Sequence, residues 1–155
     1  LRELVQLLEK SRLNYCVIGG IAILLYGGRA STIDFDFYIL SRSRKKLFKV
    51  FEGEGIALKS AGEHQFKGRF KRLPLDILIA DRWVGLPALR RAKRLNLTES
   101  IRARVARPED LIIMKSIADR PVDRRDIEEL RELVGAGLDE KYITRRLAAV
   151  RRAMG

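Results

Sequence analysis

Cysteine and histidine are nearly absent from this sequence of 155 residues, which contains one of each, Cys16 and His64. A single cysteine cannot form an internal disulfide, so the sequence fits a reducing compartment, and we expect a cytoplasmic protein. A single histidine argues against zinc sites built from several histidines and against catalytic triads that need a histidine. Cys16 lies in an apolar run, where we expect it to be a packing residue.

Long apolar runs are also missing. The longest, residues 16–26, is much shorter than the roughly 20 residues that span a bilayer, and it contains two glycines. The first residues show no signal-peptide pattern, so we expect no association with a membrane. Asparagine and glutamine are scarce, with four in total, and together with many charged residues this is typical of a thermophile.

Basic residues dominate the charge of the chain. Lysine and arginine number 32 against 20 acidic residues, which gives a formal net charge of +12. The basic side chains concentrate in residues 67–72, 82–107 and 141–155. Such an excess predicts a polyanionic partner such as a nucleotide or RNA, although an acidic protein partner would explain the same charge. Aromatic residues are sparse in the basic segments, so no base specificity is indicated.

Hydrophobic periodicity predicts an α+β domain with a short mixed sheet flanked by helices. Residues 1–107 are expected to form the core, and residues 108–155 a helical C-terminal segment packed on the same domain. The predicted strands are residues 15–18, 33–40, 56–60, 63–70, 73–80 and, at an edge of the sheet, 101–105. The predicted helices are residues 1–10, 21–26, 43–51 with Ser43 as N-cap, 86–94, 108–120, 121–135 and 140–154 with Asp139 as cap.

Three aspartates lie within the most apolar predicted strands. Asp34 and Asp36 are two residues apart, so a strand places both on one face while Phe35 and Phe37 point into the core. Asp76 would join them if its strand pairs beside theirs. Carboxylates this close repel each other unless a cation neutralises them, and oxygen ligands favour Mg²⁺ or Mn²⁺ over zinc. The alternative is three solvated acids on an exposed sheet face, although aspartate is disfavoured inside strands.

A pair of glycines separates the first predicted strand from a helix. Gly19 and Gly20 would expose backbone N–H groups at the start of that helix, which is a common way to hold phosphate. The alternative is a tight turn without a ligand. The glycine pair together with the acidic strands favours a phosphate site.

The joint pattern of Gly-Gly at 19–20, Asp-Phe-Asp at 34–36 and Leu-Asp-Ile at 75–77 resembles the nucleotidyltransferase signature of the DNA polymerase β superfamily. Residues 17–22, 29–36 and 107–115 are most similar to its AbiEii-type branch, the abortive-infection toxins of type IV toxin–antitoxin systems. Many superfamily members have a serine after the first glycine. Here Gly20 occupies that position, so phosphate binding would depend on backbone N–H groups and nearby cations.

The resemblance implies a polymerase β-like fold and transfer of a nucleoside monophosphate from an NTP, such as ATP, to a hydroxyl, with release of pyrophosphate. The acceptor would be an RNA, such as tRNA, or a protein, and an antitoxin would be a partner. The implied catalytic residues, which would also hold Mg²⁺ (or Mn²⁺), are Asp34, Asp36 and Asp76. The implied nucleotide-binding residues are Gly19, Gly20, Arg29, Thr32 and Lys115.

Each of these roles has a plainer alternative. Arg29 fits a solvated loop charge as well as a phosphate contact, and Lys115 fits an aliphatic stem on an amphipathic helix. Asp123 and Asp126 lie on one helix face and are better explained by capping and ion pairs with nearby arginines, among them Arg120, than by catalysis. The alternative function is an inactive nucleotidyltransferase fold that binds RNA or a partner protein through its basic face.

Overall fold

A computed structural model describes residues 1–29 and 34–155 of the chain. Seven helices are found in these ranges, together with two short 3₁₀ turns at Ser41–Ser43 and Gly135–Gly137. No helix in the described ranges combines the length and apolar character needed to cross a bilayer. The helices are α1 (Arg2–Lys10), α2 (Gly19–Leu25), α3 (Arg44–Gly53), α4 (Gly85–Arg91), α5 (Pro108–Ala118), α6 (Pro121–Val134) and α7 (Glu140–Met154).

Seven strands of the described residues form one mixed sheet, which confirms the predicted α+β class. Along the sheet the order is β3-β4-β5-β2-β1-β7-β6. The β2–β5 and β1–β7 pairs are parallel, and the other pairs are antiparallel. The strands are β1 (Tyr15–Ile18), β2 (Phe35–Ile39), β3 (Leu58–Gly62), β4 (Gln65–Phe70), β5 (Leu73–Ile79), β6 (Lys93–Asn96) and β7 (Arg102–Val105).

The alternation of side chains along the central strands decides which residues reach the core. Phe35 and Phe37 of β2 and Ile77 of β5 are fully buried, and Leu75 of β5 is almost so. Successive residues of a strand point to opposite faces, so Asp36 is turned to the other face of the sheet. The buried side chains of the sheet and of α1 to α7 form one continuous core.

Two predicted elements near residue 100 are wrong in extent or position. The helix predicted for residues 86–94 ends at Arg91, because Ala92 adopts an extended conformation and Lys93–Asn96 then forms β6. The strand predicted at an edge, β7, lies inside the sheet between β1 and β6. Its Val105 pairs with Val17 of β1 in parallel, a long-range contact that local periodicity does not reveal.

Element ends follow the predicted signals in part. Asp139 caps α7 as predicted, since its Oδ1 accepts a hydrogen bond from the Tyr142 N–H at 2.9 Å. Ser43 gives α3 no side-chain cap, because a 3₁₀ turn leads directly into that helix. Gly19 and Gly20 are the first two residues of α2 rather than a turn before it, and Asp34 immediately precedes β2.

A buried polar cluster joins helices α4, α5 and α7. The Asp110 carboxylate of α5, only 3% exposed, accepts a hydrogen bond from the Tyr142 hydroxyl of α7 at 2.7 Å. It also accepts from Arg91 Nε of α4 at 3.0 Å, and the neighbouring Glu109 accepts from Arg91 Nη2. Burial raises the pKa of Asp110, while Tyr142 and Arg91 lower it. The predicted division of the chain into a core of residues 1–107 and a helical C-terminal segment of residues 108–155 stays a prediction.

Tyr142→Phe is expected to lower the free energy of unfolding by about 1–3 kcal/mol, because it removes one partner of the buried Asp110 carboxylate. The measurement is urea denaturation followed by circular dichroism. Tyr38→Phe is the matched control, since the nearly buried Tyr38 hydroxyl has no side-chain hydrogen bond among the described residues. Equal stabilities of the two variants would contradict the stabilising role of the Tyr142–Asp110 hydrogen bond.

Candidate active site

The structure brings Asp36 and Asp76 together by strand pairing. In the parallel β2–β5 pair these two residues are direct partners, and Ile18 at the end of β1 pairs with Asp36 on the other side. A cavity of about 440 Å³ opens between this part of the sheet and helices α5 and α6. Its lining includes all three predicted carboxylates and several other charged groups, namely Asp34, Asp36, Lys67, Asp76, Lys115, Arg120, Asp123 and Asp126.

The Asp36 carboxyl carries the clearest electrostatic perturbation of the cavity. Burial, followed by the charges of Asp76 and Asp34, raises its pKa to about 7 from the ordinary 3.8. Lys115 and Lys67 act in the opposite direction and lower this pKa. The surrounding cations therefore do not compensate for the crowding of the carboxylates, and a further cation would be stabilised here.

Asp76 is held by a neighbour that the sequence pattern did not single out. Gln65 Nε2 of β4 donates to both Asp76 oxygens, at 2.8 and 2.9 Å. Lys67 Nζ, from the same strand, lies 4.0 Å from Asp76 Oδ2. A β4–β5 hairpin places Lys67 opposite Asp76, and Gln65 lies two pairs further along, on the same face. The sequence signal for this β4–β5 register is the short turn at residues 71–72, because it makes Phe70 and Leu73 the first pair of the hairpin.

Gly19 lies directly against the Asp36 carboxylate. A Cβ added to Gly19 would come within 2.3 Å of Asp36 Oδ2, and Gly19 has a φ of +69°, which disfavours other residues. Gly19 and Gly20 both line the cavity. The glycine at position 19 is therefore required by the approach of the backbone to the acid, and its contact with phosphate stays a prediction.

Lys115 contacts acids of α6. Its Nζ lies 2.6 Å from Asp126 Oδ2 and 3.3 Å from Asp123 Oδ1. Asp123 is fully buried and also accepts hydrogen bonds from Arg120 Nε at 2.6 Å and Nη2 at 3.0 Å. Arg120 thereby holds the pKa of Asp123 below its usual range. The predicted pairing of Asp123 with an arginine is confirmed, whereas the partner of Asp126 is Lys115.

Of the two remaining predicted nucleotide-binding residues, the structure describes Arg29, which does not line the cavity. Arg29 is exposed, and its backbone N–H donates to Glu129 Oε1 of α6 at 2.8 Å. It borders a neighbouring depression on α6, which shares Val122 and Asp126 with the cavity. Thr32 lies outside the described residues. Roles for both residues in phosphate binding stay predictions.

The donor chemistry of the cavity fits a hard divalent cation, but the carboxylates are not gathered around one point. Within residues 1–29 and 34–155, no three His, Cys, Asp or Glu side chains are clustered closely enough to hold a metal ion as they stand. Both Asp76 oxygens also accept hydrogen bonds from Gln65. The raised pKa of Asp36 is the observation that favours a cation among these acids.

Gly19→Ala is expected to destabilise the fold more than Gly55→Ala. Both glycines have a φ near +70°, but Gly55 has nothing within 4 Å of an added Cβ. Gly55→Ala therefore carries only backbone strain, about 1–2 kcal/mol, whereas Gly19→Ala also displaces the Asp36 carboxylate. Thermal unfolding of both variants measures the difference, and equal losses of stability would show that the close approach of Gly19 to Asp36 is unimportant.

Asp36→Asn is expected to stabilise the metal-free protein above pH 7. The raised pKa of Asp36, about 7, means that the folded state favours the protonated acid. The stabilisation that protonated Asp36 gives to the folded state is fully present below pH 3.8. It is lost as the pH rises through 7. Because Asp36 is partly exposed, solvent screening reduces the gain to the order of 1 kcal/mol.

The check is the free energy of unfolding of Asp36→Asn and of the unaltered protein, both in EDTA, measured from pH 4 to pH 8. The advantage of the variant should grow between these limits. A difference that is constant with pH would show that Asp36 is not perturbed by its neighbours.

Several solved structures share this fold. The antibiotic-resistance factor ANT(2'')-Ia is 20% identical, with a TM-score of 0.67 over 98% of this chain and 89% of that chain. The lincomycin-bound lincosamide antibiotic adenylyltransferase LnuA is 16% identical, with a TM-score of 0.65 over 84% and 94%. A putative nucleotidyltransferase from Thermotoga maritima is 18% identical, with a TM-score of 0.62 over 86% and 89%.

At these identities the structural likeness shows the fold alone. Among curated proteins, none matches the sequence. Family membership comes from the sequence itself, which over residues 1–150 matches the family described as "Nucleotidyltransferase of unknown function (DUF6036)". The chain therefore belongs to this nucleotidyltransferase family.

Proposed function

We propose that the protein is a metal-dependent nucleotidyltransferase that moves a nucleoside monophosphate from an NTP, such as ATP, to an acceptor hydroxyl and releases pyrophosphate. The observation that carries the proposal is the pairing of Asp36 with Asp76 on parallel strands beside Gly19, in a cavity that Asp34 also lines. Its family and the fold that it shares with adenylyltransferases support the same reaction class.

Asp34, Asp36 and Asp76 would hold Mg²⁺ or Mn²⁺. When bound, the ion would neutralise phosphate charge and lower the pKa of the acceptor hydroxyl. Asp76 would accept the proton of that hydroxyl, and it would first have to release at least one hydrogen bond from Gln65. Lys67 and Lys115 would attract the triphosphate, and Lys115 would exchange part of its pairing with Asp126 for a phosphate oxygen.

An RNA such as tRNA, or a protein, is the proposed acceptor. The ANT(2'')-Ia structure contains adenylyl-2''-tobramycin, and the LnuA structure contains lincomycin, so these two relatives are associated with antibiotics. The net charge of +12 in the present chain favours an anionic acceptor over a cationic one. The proposal includes a role as an AbiEii-type toxin with an antitoxin partner. An acidic antitoxin would also account for the net positive charge.

A binding function without catalysis is supported by one surface. Trp83 is 39% exposed, and the Arg82 guanidinium lies 4.9 Å from the centre of its ring. Arg146 of α7 donates to the Trp83 backbone carbonyl. Stacked arginine and tryptophan are typical of surfaces that contact nucleic-acid bases. An inactive fold that binds RNA through this surface is therefore the second candidate.

The test is incubation with each α-³²P-labelled NTP and Mg²⁺, in the presence of tRNA or of a candidate partner protein. The unaltered protein is expected to transfer label, and transfer should fall at least about a hundredfold in Asp34→Ala/Asp36→Ala, because both proposed metal ligands are lost. Glu52→Ala/Glu54→Ala is the matched control, since it removes two exposed acids outside the cavity and should leave transfer unchanged.

Two results would decide against the enzyme. One is the absence of both metal-dependent label transfer and Mg²⁺–NTP binding with every acceptor. The other is equal transfer by the unaltered protein and the Asp34/Asp36 variant. Salt-sensitive RNA binding that does not change in this variant, without label transfer, would establish the binding module instead.

A further inference from the structure

A second cavity, of about 460 Å³, lies at the end of the β1–β2 pair opposite to the carboxylates. Asn14 precedes β1 and Leu40 follows β2, and the Leu40 N–H donates to the Asn14 carbonyl at 3.0 Å to close this end. Ile18 and Asp36 form the last pair at the other end. The residues that line the second cavity are Asn14, Leu40, Arg42, Leu86, Leu89, Arg90 and Arg104.

The two cavities are separated by the length of the strand pair. Positions 14 and 18 are four residue steps apart along the strand, and at about 3.3 Å per step this corresponds to about 13 Å. The two linings share no residue. A ligand in the second cavity would therefore bind independently of the carboxylates and of any metal held by them.

The charge of the second cavity is of one sign. Three of its lining residues are arginines and none is acidic. Among the described residues, no carboxylate lies within 4.0 Å of the guanidinium nitrogens of Arg42, Arg90 or Arg104. Arg91, which follows Arg90 on α4, differs, since it pairs with Glu109 and Asp110.

Arg104 is fixed in place without being neutralised. It is half-buried, and its Nη1 donates to Asn14 Oδ1 at 2.8 Å while its Nη2 donates to the Leu89 carbonyl at 2.8 Å. Both acceptors are uncharged, so within residues 1–29 and 34–155 the guanidinium charge has no counter-ion. A partly desolvated cation without a partner is unfavourable, and an anionic ligand would relieve this.

The rest of the cavity lining favours an organic anion over an inorganic one. Leu40, Leu86 and Leu89 supply an apolar surface beside the arginines. The volume falls within the range of small-molecule sites, about 300–1,000 Å³, and is several times larger than a phosphate ion needs. Guanidinium groups bind phosphate oxygens in pairs and also stack on planar rings. An organic phosphate with a planar ring matches the guanidinium groups, the apolar surface and the volume of the cavity.

We infer that this cavity is a second phosphate-binding site that takes a nucleotide, either free or as a unit of an RNA strand. Arg42 and Arg90, both exposed at its rim, bind the phosphate, and Arg104 supplies the fixed positive charge behind it. The leucines contact the base or ribose. This site goes beyond the proposed transfer reaction, because it uses none of the residues assigned to the carboxylate cavity.

The test compares binding of AMP and of a single-stranded oligouridylate RNA, in EDTA so that no metal assists the carboxylate cavity. AMP is followed by calorimetry and RNA by fluorescence anisotropy. Arg42→Ala/Arg90→Ala should weaken binding of at least one probe about tenfold or more, since two charge-assisted contacts are lost. For RNA, the slope of log K against log salt should fall by about 1.4.

Lys45→Ala/Lys49→Ala is the matched control, because it removes two exposed positive charges of α3 that line neither cavity. It should change both affinities less than threefold. A loss for RNA alone identifies a unit within a strand as the ligand, and a loss that includes AMP identifies the free nucleotide. The inference is overturned if neither probe depends on the arginine pair, or if the lysine pair has the same effect.

Failure of this site is distinguishable from failure of the transfer reaction. Arg42→Ala/Arg90→Ala should keep the unfolding midpoint of the unaltered protein, because neither side chain has a hydrogen-bond partner among the described residues. It should also keep Mg²⁺-dependent binding of NTP. Loss of NTP binding without loss of AMP or RNA binding would contradict the separation of the two cavities.

Discussion

The alternation of side chains along β2 and β5 is the constraint on which the rest of the structure depends. Phe35 and Ile77 are buried in the core, so the aspartates beside them must face the other side of the sheet. The parallel register then makes Asp36 and Asp76 neighbours. The packing of apolar residues thus forces two carboxylates together. The surrounding elements supply the groups that contact these carboxylates.

Those groups come from elements on several sides of the acids. Gln65 and Lys67 of β4 contact Asp76, and the backbone of Gly19 leaves space for Asp36. Lys115 of α5 is oriented by two acids of α6, one of them fully buried. Together these contacts place partly buried acids beside two lysines. Such a mixture of charges is what the proposed reaction of a metal-bound triphosphate would need.

Sequence alone predicted the α+β class and the acidic strands, because each leaves a local pattern. Period-two alternation places Asp36, whereas the glycine pair predicts only a phosphate site or a tight turn, and the close approach of Gly19 to Asp36 depends on the pairing of β1 with β2. The Lys115–Asp126 pair depends on how α5 crosses α6, and the inner position of β7 depends on a pairing with β1 across almost ninety residues. Such contacts are decided by tertiary packing and have no local signature.

The single thiol of this chain has a practical consequence. Cys16 is fully buried in β1, and burial raises its pKa to about 12, so it stays protonated and out of contact with solvent. Thiolate is the reactive form, and alkylating reagents therefore leave the native protein unmodified. A cysteine introduced at either cavity would be the one reactive thiol among the described residues, and a spectroscopic probe could be attached there without first replacing the native residue.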